Sequence, residues 1–238
     1  MKRDITVIPV NELESLVVAS DNSGGIGLKD RDIVKTPYEV VSYYCFRVAI
    51  MECMAAGGMP ISVVIHNFCE DNSWKAIVAG VESGLTEMGL SVPITGSTES
   101  NFPLLQSALG TIVIGQRDSR FQEKEVSFPE MKLGVIGSPL VGDEVLNKEG
   151  EILPLSLFRK LCQLENMIIL PVGSKGVLHE LKVMLGDANL LETDIICEVD
   201  VCKSGGPSTC ILAAFPPELE STIQNQATHI YHSLRLVY

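Results

Sequence analysis

No stretch of the 238 residues approaches the roughly 20 uninterrupted apolar residues of a membrane-spanning helix, so no such span is expected. A signal-peptide core is missing as well, because Met1-Lys2-Arg3-Asp4 leads directly into a short strand pattern; a cytoplasmic location is the expectation. Basic residues are in deficit, 18 Lys and Arg against 30 Asp and Glu. The resulting net charge of −12 repels phosphate backbones and anionic lipid at long range, which argues against nucleic acid or a membrane surface as partner. The seven cysteines are odd in number and contain no C-x-x-C pair. Cys45, Cys53, Cys162, Cys197, Cys202 and Cys210 sit mostly in apolar runs, so buried free thiols are expected rather than disulfides or structural zinc. His229-x-x-His232 is too isolated to change that. Neither G-x-S-x-G nor a Cys/His nucleophile arrangement is present, which leaves covalent hydrolase chemistry without support, and the Walker A spacing is also absent.

What the chain does have is a 46% hydrophobic content, ample for a buried core in one large domain or two small ones. Strand and helix patterns alternate in the first half. Strands are expected at Ile5–Ile8, Leu16–Ser20, Ile61–Asn67, Val92–Thr95 and Thr111–Gly115, with helices from Pro37 to about Ala56 and near Trp74–Met88. A polar, charged stretch between Gln116 and Pro129 reads as a linker, which sets domains at 1–118 and 130–238. The second half repeats the alternation, with strands at Lys132–Ile136, Met167–Pro171, Ile195–Val199 and Cys210–Phe215, and helices near Leu155–Leu164, Lys175–Leu185 and Pro217–Gln226. The fold class is therefore mixed α/β (α+β).

Two polar, Gly-hinged turns carry the chemistry. Ser20-Asp21-Asn22-Ser23-Gly24-Gly25-Ile26-Gly27 is the first, and Thr95-Gly96-Ser97-Thr98-Glu99-Ser100-Asn101 the second. Hydroxyls, amides and carboxylates in such turns can hold a phosphate and its Mg²⁺. Thr36-Pro37-Tyr38-Glu39 reads as a helix start, with Thr36 as cap and Pro37 in the first turn. Lys35 just ahead of it is either an anion contact at the positive helix end or a solvated lysine. On that helix Val41, Cys45, Val48, Glu52 and Ala55 share one stripe, so a carboxylate interrupts an apolar face. Glu52 then needs a divalent metal or a basic partner such as Arg47. Gly173-Ser174-Lys175-Gly176 joins a strand to a helix and could set Lys175 and backbone amides against phosphate; Ser204-Gly205-Gly206-Pro207-Ser208 is a second small-residue loop. His66 and Asp71 are candidates for a general base.

Taken in order, these segments resemble the superfamily of aminoimidazole ribonucleotide synthetase, thiamine-monophosphate kinase, selenophosphate synthetase and the hydrogenase-maturation dehydratase. The resemblance is carried by Asp21, by Glu52-Cys53-Met54-Ala55-Ala56-Gly57-Gly58-Met59-Pro60, which is similar to the family's Asp-x-Ala-Ala-Met-Gly-Ala-x-Pro element, and by Thr95-Gly96-Ser97-Thr98. Gly173–Leu178 and Ser204–Pro207 add to it. Glu52 and Ser97 depart from the family's Asp at both places, which shifts expected metal ligation toward Glu99. The short length and the 96–101 turn are most similar to the α-ribazole kinases of cobalamin salvage. The resemblance implies an N-terminal domain pairing with a second subunit in a dimeric β-barrel, followed by a C-terminal α/β sandwich. It further implies an ATP- and Mg²⁺-dependent kinase acting on a riboside hydroxyl, with Asp21, Glu52 and Glu99 holding Mg²⁺. Lys35, Ser97 and Thr98 would contact phosphate, with Asn22, Ser23, Gly96, Asn101 and Lys175 completing the nucleotide site. An ATP-driven cyclo-ligase and a nucleotide-binding regulatory dimer without turnover are the alternatives.

Overall fold

The computed structural model describes residues 4–121 and 130–237. The chain divides into two compact units, the first made of Asp4–Phe121 and the second of the described residues from 130 onward. Among the described residues no helix is long and apolar enough to cross a membrane.

In the first unit, β1 (Ile5–Pro9), β2 (Glu14–Gly24), the two-residue strands β3 (Ile26–Gly27) and β4 (Val34–Lys35), and α1 (Tyr38–Ala55) come first. β5 (Met59–Asn67), α2 (Trp74–Glu87), β6 (Ile94–Thr98) and β7 (Ala108–Asp118) follow. Five strands form an open sheet in the order β1-β2-β7-β5-β6. All its pairs are antiparallel except β5 with β6. Val17, Ala19, Val63, Ile65, Leu109 and Val113 alternate along their strands and are buried on the face that packs on α1. The intervening Leu16, Val18, Val64, Ile112 and Ile114 are half-buried on the opposite face.

β2 is longer than the sequence pattern predicts. Asp21-Asn22-Ser23-Gly24 has turn composition, yet these four residues continue the ladder opposite Thr111, Gly110, Leu109 and Ala108. Eleven paired residues on β7 fix their backbone, and local turn preference yields to that ladder. The helix start also differs. α1 begins at Tyr38, Thr36 makes no side-chain cap, and its N–H instead bonds to the Gly27 carbonyl at 3.2 Å. The Pro37 carbonyl accepts from both Val40 and Val41.

The second unit contains β8 (Lys132–Ile136), α3 (Asp143–Asn147), α4 (Leu155–Cys162), β9 (Ile168–Pro171), α5 (Gly176–Leu185), β10 (Ile195–Ile196), β11 (Ile211–Phe215), α6 (Glu220–Ala227) and β12 (Tyr231–Leu236). Its sheet, in the order β10-β12-β8-β11-β9, is also open and wholly antiparallel. β11 is buried at every residue, and Leu212 and Ala214 pack with Val177 and Leu181 of α5 in one core. β12 lies beyond the last strand expected from the sequence. Neither five-stranded sheet closes into a barrel.

Candidate functional site

The ladder brings the two polar segments to one end of the first sheet. Asn22 pairs with Gly110, Gly110 with His66, and His66 with Ser97, so these four share one cross-strand row. The neighbouring rows hold Asp21, Thr111, Ile65 and Gly96, then Ser23, Leu109, Asn67 and Thr98. Beside them lies a concavity of about 400 Å³ lined by Ser20–Gly24, His66, Phe68 and Ala108–Ile112.

Asp21 is half-buried, and burial raises its pKa to about 6 against hydrogen bonds from the Asn22 backbone and the Cys45 thiol. Burial also lifts the Cys45 thiol to about 12, with the Asp21 charge adding to the effect. Asp21 is therefore a carboxyl held in an apolar setting by a weak thiol donor. Asn67 is a structural hub at the next row: its amide nitrogen donates to Thr98 Oγ1 at 3.1 Å and the Glu70 carbonyl at 2.9 Å. Its Oδ1 accepts from the Cys69 N–H and the Ser73 hydroxyl.

The expected convergence of Asp21, Glu52 and Glu99 is absent. Among the described residues one group of His, Cys, Asp or Glu ligand atoms gathers three members within 4.8 Å: the exposed Glu192, Asp200 and Cys202 of the second unit. The reason is geometric. Cys45 meets Asp21, and Glu52 lies seven residues further along α1, about 10 Å away at 1.5 Å per residue. Glu99 follows β6, which is three strand spacings, about 14 Å, from β2. Its carboxylate caps its own turn, accepting from the Asn101 N–H at 2.7 Å and the Phe102 N–H at 3.1 Å, which holds its pKa below the ordinary value. Asn101 is exposed in that turn.

Glu52 is half-buried, at the margin of the α1 stripe. The charged side chain fully buried on α1 is Arg47, at 0% exposure. Arg47 acts on Tyr43, whose hydroxyl donates to the Glu87 carboxylate at 2.6 Å, and burial drives the Tyr43 pKa upward. Tyr43 and Arg47, four apart on α1, are the sequence signal for this network.

Lys35 is exposed and donates its ammonium to the Lys29 carbonyl. Lys29 and Asp32 went unread in the sequence and organise this end of the unit. Lys29 Nζ donates to the carbonyls of Phe68 at 3.2 Å and Leu104 at 3.0 Å, tying the loop after β5 to the loop before β7. Burial favours protonation of Asp32, but hydrogen bonds from the Ser107 hydroxyl and N–H and the Lys29 N–H outweigh it, so its pKa is lowered.

In the second unit Lys175 is exposed immediately before α5. Gly176 follows at φ +78°, where an added Cβ would lie 2.7 Å from the Lys203 carbonyl oxygen; only glycine fits this close approach. Gly205 N–H donates to the Gly173 carbonyl at 3.0 Å, so the two small-residue loops meet.

No protein-family model matches this chain, and no curated protein matches it. Solved structures do. T. maritima PurL complexed with ADP is similar over 100% of this chain and 42% of its own, at 13% identity and a TM-score of 0.61. PurL complexed with ATP gives 98%, 42%, 13% and 0.60. The thiamine-monophosphate kinase from Stenotrophomonas maltophilia K279a is similar over 98% of this chain and 89% of its own, at 14% identity and a TM-score of 0.64. The chain thus spans 42% of the PurL chains and corresponds to most of the kinase. What these likenesses establish is the fold, which the chain shares with PurL and the thiamine-monophosphate kinase.

Proposed function

We propose that the chain is an ATP-dependent enzyme of the kinase or synthetase type, acting in the cytoplasm on a small riboside. The supporting observation is the likeness along nearly its whole length to PurL, solved with ADP and with ATP, and to a thiamine-monophosphate kinase. In this reading the acceptor is a riboside hydroxyl, with α-ribazole the candidate suggested by the subfamily resemblance. The active form is a homodimer, its N-terminal sheets completing a barrel through their half-buried apolar face.

The acidic trio does not fit a single Mg²⁺ within one protomer, because its members belong to separate parts of the unit. The chain's own groups supply positioning: Asn22, Ser97 and Thr98 present amide and hydroxyl groups on adjacent rows. In this reading His66, which is exposed on the Asn22 row, accepts the proton of the attacking hydroxyl as its oxygen bonds to the transferred phosphorus and ADP departs. Steady-state ADP release with ATP, Mg²⁺ and a riboside panel including α-ribazole tests the proposal. Turnover is expected in the wild type, with a loss of 100-fold or more in His66→Ala. A stable phosphoester product separates the kinase from a cyclo-ligase.

The dispersion of the three carboxylates also favours a second reading, a nucleotide-binding regulatory dimer without turnover. Calorimetric ATP binding with no ADP release on any acceptor would select it.

A further inference from the structure

We infer that the concavity between β2, β7 and Phe68 is a subsite for a flat, uncharged or cationic heterocycle, such as a nucleoside base, rather than for phosphate. The inference rests on the proposed function only in taking that base to belong to the acceptor or to the nucleotide. The floor is set by three small residues in register: Gly24 opposite Ala108, and Gly110 opposite Asn22. At Gly24 an added Cβ would meet nothing within 4 Å, and at Gly110 its nearest neighbours would be His66 Cβ at 3.6 Å and the Asp21 carbonyl oxygen at 3.9 Å. A paired sheet thus has a trough where side chains would otherwise stand, with a volume of about 400 Å³.

Its walls suit a ring. Phe68, 38% exposed, offers an aromatic surface for stacking. Asn22, Ser20 and His66 add hydrogen-bond donors and acceptors at the rim. Thr111, 1% exposed, also lines the trough. The Asp21 carboxyl turns to Cys45 on the α1 side of the sheet, no Lys or Arg is among the lining residues, and the chain carries a net charge of −12. A triphosphate placed here would meet no Lys or Arg among the lining residues and would be opposed at long range by the net negative charge, whereas a neutral or cationic base would not be repelled.

The test is calorimetry of the full chain with adenosine, a benzimidazole riboside and inorganic tripolyphosphate. At least one nucleoside is expected to bind the wild type, and tripolyphosphate is expected not to displace it. Adenosine alone binding assigns the base to the nucleotide; the benzimidazole riboside alone assigns it to the acceptor. Gly110→Val fills the floor at an ordinary contact distance in a strand, and Phe68→Leu removes the stacking face. Each should weaken nucleoside binding tenfold or more, and should either variant fail to fold by circular dichroism, the other carries the test. Failure of both nucleosides to bind wild type, or unchanged affinity in a folded Gly110→Val, overturns the inference. So does a trough occupied by a second copy, which would appear as an altered sedimentation coefficient in Gly110→Val with no nucleoside bound. Nucleoside binding without ADP release would reject the proposed enzyme and leave the subsite standing; ADP release with nucleoside binding unchanged in Gly110→Val would reject the subsite alone.

Discussion

Asp21 shows what one side chain contributes and costs. A carboxyl whose pKa rises from 3.8 to about 6 on folding binds its proton more tightly in the native state than in the unfolded chain. Between about pH 4 and pH 6 the native state therefore holds more protons, and stability falls as pH rises through that window. Above it the desolvation cost is present in full, about 3 kcal/mol for a shift of about two units. Asp21→Asn keeps the shape without the charge. It should raise urea stability at pH 8 by about 2–3 kcal/mol, flatten the pH dependence between about 4 and 6, and leave stability near pH 3.5 within about 0.5 kcal/mol of wild type. Unchanged stability at pH 8 would show that the burial cost is not borne by this residue. Asp21 was visible in the sequence as a candidate acid in a Gly-hinged turn, but its setting was not. The thiol that meets it comes from α1, 24 residues away in sequence, and no local pattern places Cys45 opposite β2.

At the scale of elements, periodicity predicted most strands and helices, and it failed where non-local pairing overrode local chemistry. The residues after Ser20 form strand rather than turn because β7 supplies a partner for each of them. Thr36 is not a cap because the Thr36 N–H pairs with the Gly27 carbonyl beside β3 and β4, and the helix begins two residues later, at Tyr38 with Pro37 at the cap position. Helix–helix contact is similarly hidden. α1 and α2 pack together, and at Gly80 an added Cβ would sit 2.1 Å from both the Glu39 carbonyl oxygen and the Ser42 Oγ. Intrinsic propensity alone would have Gly80→Ala stabilise α2 by about 1 kcal/mol. The contact dictates the opposite sign, since the helices must separate to admit the methyl. Thermal and urea unfolding of Gly80→Ala should show a net loss of about 1–3 kcal/mol. A stabilised variant would mean that α1 and α2 do not approach this closely.

For the whole molecule, the alternating pattern announced two α/β halves, and the Glu52–Pro60 and Thr95–Thr98 segments pointed to the fold seen in the solved structures. What the chain order concealed was strand order: β6 is distant from β2 because β7 and β5 intervene, so segments that read as partners supply acids to different places. The same order leaves a stripe of half-buried apolar side chains, Leu16 and Val18 on β2 with Ile112 and Ile114 on β7, opposite the face packed on α1. Val18 and Ile114 are directly paired, so together they form the centre of that stripe. If the proposed homodimer forms through it, burying this pair against a second copy is favourable, whereas two carboxylates there would face each other's symmetry mates in a desolvated interface. Sedimentation velocity at tens of micromolar should then give twice the 25.8 kDa chain mass for wild type and the single-chain mass for the Val18→Glu, Ile114→Glu double variant. Retained far-ultraviolet circular dichroism in the variant would distinguish dissociation from unfolding. A wild-type protein that sediments as a monomer at those concentrations would remove the intersubunit barrel, and with it any reading in which a partner subunit supplies the ligands that one protomer does not gather.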